Sequence, residues 1–269
     1  MTPDLLVSIQ AALFFTTLCW LLSVTTGNFS QVDRLWSILP ILYVAWFASR
    51  AGFHDARLNL LALLTALWGV RLTFNFARKG GYHWSSEDYR WPILRQRMGP
   101  WKFQLFNATF IAPCQNFILW TLALPAYVAL RARAPFSSLD AIAGSLYALA
   151  LLGETIADEQ QWKFQSDKQR RRARGEPVDK PFLDQGLFAY SRHPNFLCEQ
   201  LIWWCAYLFA VSATGRFLNW GLPGPSLLTL LFLGSSRFTE ELTLSRYPAY
   251  AAYQQRVPRQ LPFRLPGLE

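Results

Sequence analysis

Charge is what this sequence has least of. Only 16% of its 269 residues are Asp, Glu, Lys or Arg, against about 25% in a soluble domain. The deficit sits in long apolar runs, so it excludes an ordinary water-soluble fold. Metal and disulfide chemistry also have little to draw on. The four cysteines, Cys19, Cys114, Cys198 and Cys205, form no CxxC pair and lie in or beside apolar runs. Such cysteines read as small buried hydrophobes, not as a disulfide framework or a zinc site. His54, His83 and His193 are too scattered for a metal box, and no metal is expected. G-x-S-x-G, H-E-x-x-H and G-x-G-x-x-G are absent, which removes the commonest soluble enzyme signatures. The first apolar run lacks a basic n-region and a small-residue cleavage site, so it reads as a retained span.

Hydrophobic residues make up 52% of the chain, and the net charge is +9. In a soluble protein that charge would suggest nucleic acid. Here the basic residues flank apolar runs, so nucleic acid is rejected and the lipid bilayer is the expected partner. A span needs about 20 apolar residues. Candidate spans are 4–26, 35–51, 58–77, 103–130, 139–157, 197–214 and 219–236. The second is short. The fourth is long, and Pro113 and Pro125 are expected to kink or divide it. The run before Asp158 is expected to continue into a polar helix. The fold class is therefore an all-α polytopic membrane helix bundle of about seven transmembrane helices. Residues 1–138 are assigned to N-terminal membrane helices with a substrate cavity, and 139–269 to a cofactor-binding membrane domain.

Seven spans put segments 27–34, 78–102, 158–196 and 237–269 on one side. That side holds 20 of the 26 Lys and Arg, against 5 on the other. By the positive-inside rule the basic side is cytoplasmic, with the N-terminus outside and the C-terminus inside. Segments 78–102 and 158–196 exceed the length of simple connections and are rich in aromatics, which favours function over disorder.

Five constellations carry chemistry-bearing residues. Ser191-Arg192-His193-Pro194-Asn195-Phe196, followed by Glu199, sets a guanidinium, an imidazole, an amide and a carboxylate at a helix start. Pro194 disfavours helix at His193 and suits a first helical turn. Such a terminus attracts anionic groups, and Arg192 can fork onto a phosphate or carboxylate. An interfacial anchor with an inward salt bridge is the plainer alternative. The basic run from Lys163 and Lys168 through Arg174 fits attraction to anionic lipid, about 1 kcal/mol per charge. Its first members also suit nucleotide phosphates. The tail from Arg237 to Pro266 mixes Glu240-Glu241, Tyr250, Tyr253 and Arg256. A helix along the interface with tyrosine anchors explains it as well. Asp33-Arg34 opens the second span, where the two side chains pair, snorkel or face a cavity. Arg71, Asn75 and Arg78 share one face of the third span. That stripe runs on through Lys79 and Gly80-Gly81-Tyr82 to Glu87-Asp88-Tyr89-Arg90-Trp91.

The stretches VDRLWSILP, RLTFNFARKGGY with EDYRW, ADEQQWKFQSDK, GLFAYSRHPNFLCEQLIWW and YAAYQQRVPRQLP together resemble the steroid 5-alpha-reductase-like membrane proteins. Within them the likeness is to the bacterial-type branch with a reductase-like C-terminal domain, and it covers nearly the whole chain. The wider superfamily contains reductases that use NADPH and methyltransferases that use S-adenosylmethionine. RHPN-x-x-x-E with the tail therefore implies a cofactor site without naming the cofactor. On the reductase reading, the resemblance implies that Asn195, Glu199 and Tyr253 contact the nicotinamide nucleotide, with Arg192 and His193 nearby. It assigns Lys163 and Lys168 to its phosphates, and Arg78, Lys79 and Arg256 to the same cofactor. In the steroid reductases a Gln-Glu pair and a tyrosine polarise the substrate ketone. Here Asp33-Arg34 and Asn75 stand in those places, and Phe196 replaces a common tyrosine, all of which argues against a 3-oxo-steroid.

The leading expectation is an NADPH-dependent oxidoreductase that reduces an activated carbon–carbon double bond in a lipophilic substrate. Tyr82, Tyr89 or a protonated Asp33 would hold the developing oxyanion, with Asn75 beside them. An S-adenosylmethionine-dependent methyltransferase and a non-catalytic lipid-binding protein are the alternatives. The branch implies a bacterial inner membrane.

Overall fold

The computed structural model describes residues 2–178 and 181–263, so the end of the tail segment, 264–266, lies outside the described residues. Among the described residues there is no strand. The α-helices follow in order as α1 (Pro3–Thr26), α2 (Gln31–Leu35), α3 (Leu39–Arg50), α4 (Ala56–Arg78), α5 (Arg90–Met98), α6 (Pro100–Phe106), α7 (Pro113–Thr121), α8 (Leu124–Ala132), α9 (Ser138–Ala173), α10 (Pro194–Thr214), α11 (Pro223–Arg246) and α12 (Tyr250–Arg256). Among the described residues five helical stretches are long and apolar enough to cross a membrane: α1, α4, the broken run Pro100–Ala132, α9 and α10. The chain is an integral membrane protein.

The other two expected spans fall short for different reasons. α3 has 12 residues, about 18 Å at 1.5 Å per residue, against a hydrocarbon core of about 30 Å. α11 is long enough at 24 residues. However, its second half carries Arg237, Glu240, Glu241 and Arg246.

Local sequence sets the helix ends. The Thr2 hydroxyl caps α1 by accepting from the Leu5 N–H, and Gly27 closes that helix in the left-handed region at φ 68°. The Asp55 carboxylate caps α4 through the Leu58 N–H at 3.0 Å. The fourth run breaks where its prolines stand. Pro113 opens α7 after a π-helical turn, Asn107–Ile111, and Pro125 lies in the first turn of α8. A proline lacks the N–H for the helical ladder and crowds the carbonyl four residues back, and the π turn absorbs that conflict. α9 is one helix of 36 residues, about 54 Å long. It carries the apolar stretch before Asp158 straight into the polar one, as expected.

The chain forms two compact units, the first from residues 1–144 and 205–225, the second from 145–204 and 226–269. In the first unit α3 lies against α4 at close range, because Gly69 has no side chain. A Cβ there would stand 2.3 Å from Ile41 Cδ1 and 2.5 Å from the Ser37 carbonyl. A hydroxyl pair, Ser37 with Thr73 at 2.7 Å, ties the turn before α3 to α4. At the other end of α4, Arg57 forks onto Asp140 with both bonds at 2.7 Å and also donates to the Ala134 and Pro135 carbonyls at 2.8 Å. Both side chains are buried. In the second unit Gly153 of α9 meets Cys198 of α10, and Phe196 stacks on Phe232 at 4.5 Å.

Candidate functional site

In the first unit the segment 27–37 is clasped by 82–95. Asn28 donates to the Ser86 carbonyl at 2.9 Å, and the Phe29 N–H donates to Glu87 at 2.9 Å. The Asp88 N–H reaches Ser30 Oγ at 2.8 Å. Arg34 donates to Gln31 at 2.8 Å and to the Ser86 carbonyl at 3.0 Å, and its guanidinium lies over the Trp84 ring. These bonds give the part-buried loop carbonyls donors from the protein in place of water. Asp33 accepts from the Trp91 indole at 3.3 Å, while Asp88 holds Arg90 in a fork at 2.8 and 2.9 Å. Burial pushes the Asp33 carboxyl above the ordinary range, and the Asp88 charge adds to the effect. That is the behaviour of a carboxyl that keeps its proton longer than usual.

The other candidates of this unit have definite neighbours. Asn75 is buried and its Oδ1 accepts from Arg78 Nε at 3.0 Å, so the polar stripe of α4 is an internal pair. Lys79 is exposed at the end of that helix. Tyr82 donates its hydroxyl to the Arg34 carbonyl at 3.2 Å, and its ring meets Phe76 edge-on. Tyr89 is exposed just before α5.

In the second unit the RHPN stretch is held by a single carboxylate. α10 begins at Pro194, as expected, and the residues before it pair with the tail. The Arg192 N–H donates to the Pro258 carbonyl and the His193 N–H to the Arg259 carbonyl, both at 3.0 Å. Arg192 forks onto Glu240 at 2.6 and 3.1 Å and also donates to the carbonyls of Gln254 and Val257. His193 meets the same carboxylate at 3.0 Å, Gln254 at 3.1 Å and Arg259 at 3.4 Å. Burial would raise the Glu240 carboxyl, but His193 and Arg192 outweigh it and hold it at about 2. Arg192 is 6% exposed, and its donors are turned inward. Tyr253 is likewise buried and donates to the Phe188 carbonyl, with Phe182 stacked on its ring at 5.4 Å.

Asn195 and Glu199 lie one turn apart at the start of α10, the first half-buried and the second buried. Lys168 is almost wholly covered, donating to the Pro181 carbonyl with its ammonium 5.0 Å from the Tyr247 ring. Lys163 is exposed, with Glu159 3.7 Å away. Arg256 is exposed and donates to the Ala252 carbonyl. Among the described residues no group of three His, Cys, Asp or Glu is placed to hold a metal.

Sequence reasoning treats Glu240 only as half of an acidic pair and passes over Glu154. Both are buried. Glu154 carried its own signal, a carboxylate within an apolar run, which is costly in a membrane. Glu240 carried none, because its ion-pair partner Arg192 is 48 residues away along the chain.

Residues 19–257 match a family described as a protein of unknown function (DUF1295). An uncharacterised protein of Schizosaccharomyces pombe is 38% identical, over 99% of this chain and 81% of that protein. The chain belongs to this family. The family match takes in every candidate from Asp33 to Arg256, and so both constellations. No solved structure matches the chain.

Proposed function

We propose that the chain is a membrane oxidoreductase that uses NADPH to reduce an activated carbon–carbon double bond in a lipophilic substrate. The observation that carries this reading is Asp33, a carboxyl raised by burial and by Asp88, held by Trp91 on a clasped loop. It is a proton donor available nearer neutrality than an ordinary carboxylate. The reaction needs a hydride at one carbon of the double bond and a proton at the other, and NADPH supplies the hydride when bound. Asn195 and Glu199 suit the amide and hydroxyl groups of a nicotinamide nucleotide, and exposed Lys163 suits a phosphate. Arg192 and His193 act through Glu240, fixing the backbone from which α10 presents Asn195. Tyr253 does the same through Phe188.

A second reading, an S-adenosylmethionine-dependent methyltransferase, draws on the buried carboxylates Glu154, Asp158 and Glu199 of the second unit. Buried anions favour a cationic cofactor. Mass spectrometry of the purified protein separates the readings. Retained NADPH or its oxidised form supports the reductase, and S-adenosylmethionine or its demethylated product supports the methyltransferase. With neither bound and no thermal shift from either, both fail and lipid binding alone remains. Asn195→Ala and Glu199→Ala should each weaken cofactor binding. Wild-type affinity in both would overturn the assignment of these residues.

We propose seven spans, residues 35–51 and 219–236 completing the five, with the N-terminus outside and the C-terminus cytoplasmic. The excess of Lys and Arg on one side supports this orientation. The bacterial inner membrane implied by the branch is one such membrane, and the yeast relative supports a eukaryotic one equally.

A further inference from the structure

Between Glu199 and Arg237 the sequence carries one charged residue, Arg216. It stands in the connection from α10 to α11, residues 215–222, which reads Gly-Arg-Phe-Leu-Asn-Trp-Gly-Leu. A turn that meets water is ordinarily built from small polar residues. Here the tip is apolar and faces outward, with Phe217, Leu218 and Trp220 exposed to 64%, 77% and 78%. The backbone holds them there. Gly215, at φ 64°, ends α10 and donates to the Val211 carbonyl at 2.8 Å. The Arg216 N–H donates to Thr214 Oγ1 at 3.2 Å. Asn219 closes the turn from both ends of its amide, donating to the Arg216 carbonyl at 3.0 Å and accepting from the Gly221 N–H at 2.8 Å. The start of α4 belongs to the same end of the first unit, because Arg57 donates to Ser212 Oγ at 3.3 Å. The loop before α4 presents another exposed aromatic, Phe53.

Apolar side chains fixed outward need an apolar neighbour. Lipid is the neighbour at hand, since the turn is carried at the end of α10, an apolar helix long enough to cross a membrane. A protein partner is the poorer fit. A stable protein interface buries about 1,200–2,000 Å², more than a turn of this length supplies. The side chains also set the depth. A guanidinium is costly in hydrocarbon but reaches lipid phosphate from the headgroup level, and tryptophan favours that same level. Phe217 and Leu218 can then enter the upper acyl chains. We propose that the α10–α11 turn is a membrane anchor, with Phe217, Leu218 and Trp220 among the headgroups and upper acyl chains and Arg216 on lipid phosphate. The anchor does not depend on the reductase reading, since no cofactor or substrate takes part in it.

The test places a bimane label on Leu218→Cys, in a chain whose Cys19, Cys114, Cys198 and Cys205 are replaced by alanine, in phosphatidylcholine nanodiscs. The label should lose most of its emission to phosphatidylcholine carrying a nitroxide near the headgroup. It should lose less to a nitroxide near the chain end and almost none to aqueous iodide. Arg216→Leu should move the quenching toward the deeper nitroxide, and an unchanged depth would overturn the role given to Arg216. If the cysteine-free chain fails to fold, the tryptophan emission lost in Trp220→Phe, measured against wild type with the same quenchers, gives the same reading. Iodide quenching as strong as that of the free dye would put the turn in water. Protection from all three quenchers would mean that protein covers it, and strongest quenching at the chain end would put it in the hydrocarbon core. Each of these three results would overturn the anchor.

Discussion

Glu240→Gln keeps the size of the side chain but removes the charge that Arg192, His193 and Arg259 share. Breaking a buried ion pair from one side costs about 3–5 kcal/mol, so the variant should melt well below wild type. The sign of the pH effect follows from the carboxyl being held at about 2 instead of 4.5. A depressed carboxyl stabilises fully above its ordinary value and loses that contribution as pH falls through the lower one. Thermal melting of the wild type should therefore decline between about pH 4.5 and 2, and the glutamine variant should show a flatter profile there. Asp33 works the other way. On the proposed reductase reading its raised carboxyl donates only when protonated, so activity should fall as pH rises and the carboxyl ionises. Asp33→Asn should lower turnover by about 10²–10⁴ and abolish that alkaline limb. An unchanged pH profile would remove Asp33 from the reaction.

Helix pairs set the next scale. Gly69→Leu would force a side chain into Ile41 and the Ser37 backbone. Overpacking of this kind costs about 1–3 kcal/mol, and contact with backbone leaves little room to yield, so the melting temperature should drop clearly. At the far end of α4, Arg57→Ala alone should cost about 3–5 kcal/mol, since it strands a buried Asp140. Arg57→Met combined with Asp140→Leu should recover most of that loss, and a double-mutant cycle by thermal unfolding measures the difference. Much at this scale was legible in the sequence. Pro113 and Pro125 announce the broken fourth run because proline cannot continue a ladder. Pro194 announces the start of α10 for the same reason, and the passage from Leu152 to Asp158 announces a helix longer than a bilayer. The second run reads as short in the sequence, and the turn between α2 and α3 at Trp36–Ile38 shortens its helix further.

The molecule as a whole is an integral membrane protein with five helical stretches, among the described residues, long and apolar enough to cross a membrane, and its orientation is open to direct measurement. A membrane-impermeant maleimide should label Ser85→Cys and Arg170→Cys from the cytoplasmic side. It should label Phe136→Cys from the opposite side only. Labelling of all three from one side would break the seven-span arrangement.

Composition, hydropathy and charge placement were enough to determine that the chain is helical and membrane-embedded, with its basic residues gathered between the apolar runs. Those properties are sums over neighbouring residues, and a sum survives without knowledge of the fold. Which side chains meet is a different kind of fact. Asp33 with Trp91 and Arg192 with Glu240 are joined across 58 and 48 residues. Only the tertiary structure decides these two pairings, because burial removes water as the alternative partner and leaves each polar group to the neighbours the packing supplies.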